Sequence, residues 1–253
     1  LAPNASASKA PAGLTRSSWE RLAHAFEGEV CDILAVDRRQ VIGRAIGGLR
    51  RNFSRASLLD VGCGIGTFIR TYGPRFRSVT GADFSLNMLR YAKRRCRGLS
   101  HVRWMQADLS RIDHDTMPTG DLTVCFNVVT SPDARIRTAM LRSLAKLTNP
   151  EGTALLVVPS LESTRFVHRA MRRSRLAEAS TRRLLARGIL MCDGVAQKYF
   201  TKQEILASMR SAGFRACQAK RVWIPWSEEG VEDDHPQLKG KGLPWDWLVV
   251  GHR

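Results

Sequence analysis

The run LLDVGCGIGTF at residues 58–68 constrains this chain more than any other feature. A short apolar segment ends at Asp60 and Val61, and Gly62, Gly64 and Gly66 follow at alternate positions before a helix-like pattern begins. This reads as a buried strand turning sharply into a helix. Glycine enters φ values closed to other residues and lets the backbone pass close to a ligand. The N–H groups of the turn and the helix N-terminus behind it are expected to favour ligand groups with negative charge or lone pairs. Taken alone, the same turn is compatible with a strand-to-helix connection that binds nothing.

The flanking pattern extends the argument. Apolar runs at 56–61, 78–83, 101–108, 121–129 and 153–160 alternate with helix-like segments at 66–73, 85–97 and 133–147. Strands alternating with helices predict an α/β domain with a doubly wound parallel sheet and helices on both faces. Upstream, apolar residues from Trp19 to Leu49 recur at helical spacing and predict two amphipathic helices within 19–55. Downstream, 161–190 reads as one or two basic helices within a helical insertion at 161–200. TKQEILASMRSAGF (201–214) follows, with Thr201 and Glu204 as a capping box and Gly213 as its stop. Two last strands, 214–226 and 245–252, flank an acidic loop. Trp223, Trp226, Trp245 and Trp247 in this region suit core and hairpin packing better than base stacking.

Two further acids bear on function. Asp83 ends the second strand, 23 residues after Asp60, and Asp108 ends the third. An acid one strand over from the glycine turn is placed to accept hydrogen bonds from both ribose hydroxyls, and Asp108 is placed to read an adenine edge. Each alone is equally a helix N-cap. Three acids at successive strand ends, where such sheets bind ligands, form a pattern. The spacing G-x-G-x-G, with Thr67 where a dinucleotide fingerprint has its third glycine, disfavours a nicotinamide cofactor. A nucleoside without a phosphate fits it better.

On these residues the chain resembles the class I S-adenosylmethionine-dependent methyltransferase family. DVGCGIG, GADFSLNML, QADLS and DLTVCFNVV match its motifs in order, and the resemblance covers 56–160 and 201–252. It implies a mostly parallel seven-stranded sheet whose last strand runs antiparallel between strands five and six. It implies S-adenosylmethionine as cofactor and S-adenosylhomocysteine as product. Asp60, Gly62 and Gly64 would border the methionine portion, and Cys63 and Gly66 of the same turn would also bind the cofactor. Asp83 would hold the ribose, with Phe84 and Met88 against the adenine, Asp108 and Leu109 at the adenine ring, and Asn127 near the transferable methyl.

The acceptor is not readable from the sequence. The fourth strand lacks the N-P-P-Y or D-P-P-Y run of base-amino methyltransferases. Cys125 lacks the preceding proline of cytosine-C5 enzymes and reads as a core thiol. No catalytic base stands out: His168 is the nearest candidate, and a plain surface histidine is the better reading of it.

Composition adds the remaining expectations. Six dispersed cysteines without a C-x-x-C pair argue against a zinc module or disulfide framework and for a reducing interior, cytoplasm or mitochondrial matrix. No apolar run reaches the roughly 18 residues of a membrane span. Residues 1–18, rich in Ala and Ser and free of acids, suit a flexible tail or the remnant of a transit segment ahead of one domain at 19–253. The formal charge is +17, and Arg165, Arg169, Arg172, Arg173, Arg175, Arg182, Arg183 and Arg187 crowd the insertion. They read as a solvated helix face, or as a surface for RNA or a ribonucleoprotein, an anionic lipid surface and an acidic metabolite being the other partners such a cover could attract. The second choice gives the alternative function: a methyltransferase-fold assembly or scaffold protein with little catalysis.

Overall fold

The computed structural model describes residues 32–49, 51–170, 186–192, 195–229, 238 and 240–253. The expected helix ahead of residue 32, the 1–18 tail and most arginines of the insertion lie outside the described residues.

A seven-stranded sheet organises the chain. Its strands are β1 (Ser57–Val61), β2 (Ser78–Asp83), β3 (Val102–Gln106), β4 (Gly120–Phe126), β5 (Thr148–Val158), β8 (Ala216–Trp223) and β9 (Trp245–His252). The order is β3-β2-β1-β4-β5-β9-β8. β1 to β5 pair in parallel, while β9 runs antiparallel between β5 and β8. This is the sheet that the resemblance implied. The inner strands are near-continuous apolar runs because both faces are covered: Leu58, Leu59, Val61, Leu122, Val124, Leu155 and Leu156 are all buried.

Helices α1 (Ile33–Val36), α2 (Val41–Gly47), α3 (Thr67–Tyr72) and α4 (Leu86–Arg95) precede β3 in the chain. α5 (Ala134–Leu147), α6 (Leu161–Ala170) and α7 (Lys202–Ala212) follow β4. Ile42, Ile46, Phe68, Ile69 and Leu89 build the core on one face. Leu141, Leu144, Ile205 and Met209 build it on the other. Capping fixes the helix starts: Ser85 accepts from Met88 N at 3.2 Å, Asp133 from Arg135 N at 2.8 Å and Thr201 from Glu204 N at 3.2 Å. Gly213, at φ 116°, ends α7 as expected. The Glu204 carboxylate reaches the Lys198 ammonium at 2.8 Å.

Two boundaries differ from the sequence reading. β5 begins at Thr148, five residues early, because Gly120 pairs with Thr148 across a register shift in β4. The insertion is also not wholly helical. After α6 the described residues include an antiparallel pair, β6 (Ile189–Cys192) and β7 (Val195–Lys198). Phe200 N donates to Pro159 O and Leu161 N to Phe200 O, both at 2.9 Å, which docks the segment after β7 on the end of β5. Trp226, Trp245 and Trp247 are buried, in the packing role expected of them.

Candidate active site

The strand order reverses between β1 and β4, so their carboxyl ends diverge and leave a crevice. A cavity of about 260 Å³ lies there. The glycine turn forms its floor. Gly62, Gly64 and Gly66 have φ of 73°, 51° and 79°. A Cβ at Gly62 would stand 2.1 Å from Val128 Cγ2, so the turn closes onto the segment after β4 only because this residue is glycine. At Gly66 the Cβ would meet Cys96 Sγ at 3.1 Å and Ala92 Cβ at 3.2 Å, which sets how closely α4 approaches.

The turn's amides serve the protein more than the sequence reading expected. Gly62 N and Cys63 N donate to Ala82 O at 2.7 and 3.0 Å, and Gly66 N donates to Cys63 O at 2.9 Å. Gly64 N donates to Asp83 Oδ2 at 3.0 Å. These donors are engaged, and a turn built this way has little left to seat a diphosphate.

The three strand-end acids converge. Asp83 is buried; its Oδ1 accepts from Ser85 N at 2.9 Å, and Ser85, not Asp83, caps α4. Asp108 accepts from Ser110 N at 2.9 Å and Ser110 Oγ at 2.7 Å, and caps no described helix. Asp60 is 3% exposed. Burial, then the Asp83 and Asp32 charges, push its carboxyl up to about 8. Asp32 completes a set of four carboxyls on the cavity wall. Nothing in the sequence singled it out, since it lies 28 residues before Asp60 on a different element.

Of the residues carried over from the resemblance, Asp60, Gly62, Cys63, Gly64, Asp83, Phe84, Met88, Asp108, Leu109 and Asn127 all line this cavity. Gly66 does not line it; it packs behind, on α4. Ile33, Leu34, Val128, Thr130 and Met140 also line it and were not among the expected site residues. Asn127 has φ 56°, a left-handed conformation that asparagine tolerates better than most residues. Its Oδ1 is buried without a hydrogen-bond partner among the described residues. Burial raises the Cys63 and Cys125 thiols well above the usual range, so neither is a ready nucleophile. His168 is half-buried on α6 and does not line the cavity.

A doubly wound sheet with an antiparallel last strand, and a cleft lined by acids from the ends of its first three strands, is the arrangement of a Rossmann-like methyltransferase domain. Residues 58–152 match the family model described as "Methyltransferase domain". Over that stretch, less than half of its length, the chain is similar to the methyltransferase domain. It is 27% identical over 139 residues to a malonyl-[acyl-carrier protein] O-methyltransferase of Serratia marcescens, a match that spans 55% of this chain and 50% of that protein. Thus the aligned region is about half the length of that curated relative. A methyltransferase structure from Methanosarcina mazei superposes with a TM-score of 0.59 at 15% identity, over 83% of this chain and 96% of its own. The N-methyltransferase NodS of Bradyrhizobium japonicum, in complex with S-adenosyl-L-homocysteine, does so at 0.52 and 17%, over 91% and 97%. These likenesses concern the fold.

Proposed function

We propose that the protein is an S-adenosylmethionine-dependent methyltransferase that places a methyl group on a nucleophilic acceptor by in-line displacement. The observation that carries this reading is the cavity itself: four carboxyls face one cleft in a chain of formal charge +17. A buried acid beside two others resists ionising unless a cation joins it. A sulfonium that also bears an ammonium matches that demand, and a dinucleotide does not. The buried, unpartnered Asn127 oxygen adds an acceptor aimed at a ligand.

S-adenosylmethionine would supply a methyl already made electrophilic by its sulfonium. The chain supplies position. Asp83, oriented beforehand by Gly64 N and Ser85 N, offers its remaining lone pairs to the ribose hydroxyls. Asp108, steadied by Ser110, and Leu109 meet the adenine, with Phe84 and Met88 as the apolar wall. Asp60 and the Gly62–Gly64 backbone border the methionine end, and Asn127 the methyl. Alignment with exclusion of water contributes about 7–11 kcal/mol in well-oriented reactions. Among the described residues no histidine, lysine or arginine lines the cavity. The malonyl group in the Serratia marcescens relative's name is the first acceptor to assay.

Calorimetric titration with S-adenosylmethionine tests the cofactor. Wild type binds, and Asp83→Ala loses roughly tenfold or more in affinity, because two hydroxyl hydrogen bonds to a charged group disappear. Indistinguishable titrations would refute the assignment. The alternative, a scaffold on RNA with little catalysis, rests on the basic charge and on the acid-free, Ala- and Ser-rich composition of residues 1–18.

A further inference from the structure

The cavity occupies one edge of the sheet, and the opposite edge of β2 and β3 has the reverse chemistry. From Val61 to Ala107 the chain carries nine Lys and Arg and a single acid, Asp83, which faces the cavity. That is a net +8 in 47 residues, against +9 in the other 206. Arg70, Arg75, Arg77, Arg90, Lys93, Arg94, Arg97 and Arg103 are all exposed.

The topology gathers most of them. α3 and α4 both begin beside the cavity and run back along the sheet. Arg70 lies in the last turn of α3, and Lys93, Arg94 and Arg95 in the last turn of α4. Arg75 and Arg77 precede β2, while Arg97 and Arg103 flank the start of β3. His101 Nε2 lies 3.2 Å from Gly73 O and joins the two turns. β3 is the outer strand of the sheet, and Arg103 pairs with Thr80 of β2. Among the described residues no carboxylate pairs with Arg70, Arg75, Arg77, Arg94, Arg97 or Arg103; the ion pairs Arg51–Asp121, Arg135–Asp133 and Lys198–Glu204 lie elsewhere.

The composition of the face selects its partner. Eight of the nine cations are arginine, whose planar fork binds phosphate oxygens in pairs. A bilayer would call for apolar side chains exposed among the charges. Here Met88, Leu89 and Ala92 of α4 turn into the core, and the exposed Leu86 sits at the cavity end of the helix. Single strands are held largely by stacking on free aromatic faces. The rings of Tyr72 and Tyr91 are already covered by Arg75 and Arg94, at 5.3 and 4.5 Å.

We propose that this face, made by the ends of α3 and α4 and the start of β3, binds the phosphate backbone of a double-stranded nucleic acid without reading its sequence. Strands of five and six residues, at about 3.3 Å per residue, separate it from the cavity by about 15–20 Å. It anchors the duplex and leaves the methyl-transfer cleft open. The proposal does not depend on the cofactor assignment.

Fluorescence anisotropy with a 24-base-pair labelled duplex tests it, between 50 and 200 mM salt. The 253-residue chain should bind with a log–log salt slope of about −4 to −5, as five or so phosphate contacts give. The triple variant K93E/R94E/R97E should lose at least tenfold in affinity and about three units of slope. R75E/R77E, at the other turn of the same face, should lose affinity in the same sense, so the result does not hang on one variant folding. A thermal midpoint no lower than that of wild type confirms that each is native. R165E/R169E, on exposed positions of α6, should bind like wild type. Salt-independent binding, wild-type affinity in both face variants, loss confined to the α6 variant, tighter binding of a single strand of equal length, or binding to phosphatidylglycerol vesicles but not to duplex would each overturn the proposal.

Discussion

Replacing Asp60 by asparagine should abolish the pH dependence of stability that its burial creates. The carboxyl is 3% exposed and pushed up from 3.8 to about 8, first by burial and then by Asp83 and Asp32. Between those two values the folded chain holds a proton that the unfolded chain has released. Unfolding therefore becomes easier as pH rises, by about 1.4 kcal/mol per pH unit for one proton. From pH 5 to pH 7 the loss attributable to Asp60 is about 3 kcal/mol, and it levels off above pH 8. Below pH 3.8 both states are protonated and the effect vanishes. Urea unfolding of wild type and Asp60→Asn at pH 5, 6, 7 and 8 isolates this contribution, because histidines and other carboxylates cancel in the difference. The variant should match wild type within about 1 kcal/mol at pH 5 and exceed it by about 3 kcal/mol at pH 7. A constant difference across the series would mean that Asp60 ionises normally in the folded state, and the electrostatic reading of the cavity would fall. The same logic gives a binding prediction. A cation entering the cleft stabilises the ionised carboxyl, so affinity for S-adenosylmethionine should rise from pH 6 to 7.5, with proton release visible as buffer-dependent heats in calorimetry.

Three further substitutions test the geometry. Gly62→Ala introduces a methyl 2.1 Å from Val128 Cγ2 at a φ of 73°, and should cost roughly 2–5 kcal/mol from left-handed strain and overpacking; adding Val128→Ala should restore part of that in thermal unfolding. Asn127→Gly relieves the left-handed backbone and removes the unpartnered oxygen, so stability should stay within about 1 kcal/mol while cofactor affinity falls; equal affinity would remove Asn127 from the site. Glu204→Gln should destabilise by about 2 kcal/mol, more than Lys198→Met, because Lys198 has 4% of its side chain exposed and Glu204 has 37%. An unfolding series showing the opposite order would place the buried charge on the wrong partner.

Much of this architecture was legible because its signals are local and redundant. The inner strands of the main sheet are apolar runs covered on both faces, and the caps at Ser85, Asp133 and Thr201 mark helix starts by chemistry that spans three residues. The cavity was legible for a different reason: parallel strands all deliver their last residues to one edge, so Asp60, Asp83 and Asp108 could be brought together by order alone. What depended on tertiary closure was not legible. Asp32 and Leu34 reach the cleft from an N-terminal segment whose sequence separation says nothing about proximity. The engagement of the glycine-turn amides by Ala82 and Asp83 follows from how β1 and β2 are staggered, which no motif encodes. The β6–β7 pair did have a signal, the Asp-Gly dipeptide at 193–194 between apolar residues.

The two charged regions share one structural cause. In a parallel sheet every strand ends at the same edge, and every returning helix ends at the other. Side chains at strand ends therefore cluster without being neighbours in sequence, as the carboxyls of Asp60 and Asp83 do. The last turns of α3 and α4, and the turns that lead into β2 and β3, cluster at the far edge in the same way. Cations are favoured there intrinsically, since the free carbonyls of a helix C-terminus carry partial negative charge. That preference accounts for one or two basic residues per helix end. It does not account for Arg75, Arg77, Arg97 and Arg103, which lie outside both helices and repel their neighbours across the same surface. If nothing bound this edge, removing those four charges would stabilise the fold at low salt through reduced repulsion, with no function lost. If a duplex is anchored there, the same removal should raise the thermal midpoint of the free protein while abolishing its salt-dependent retention on immobilised duplex. The pairing of a gain in stability with a loss of binding is the signature that separates a retained surface from a merely tolerated one.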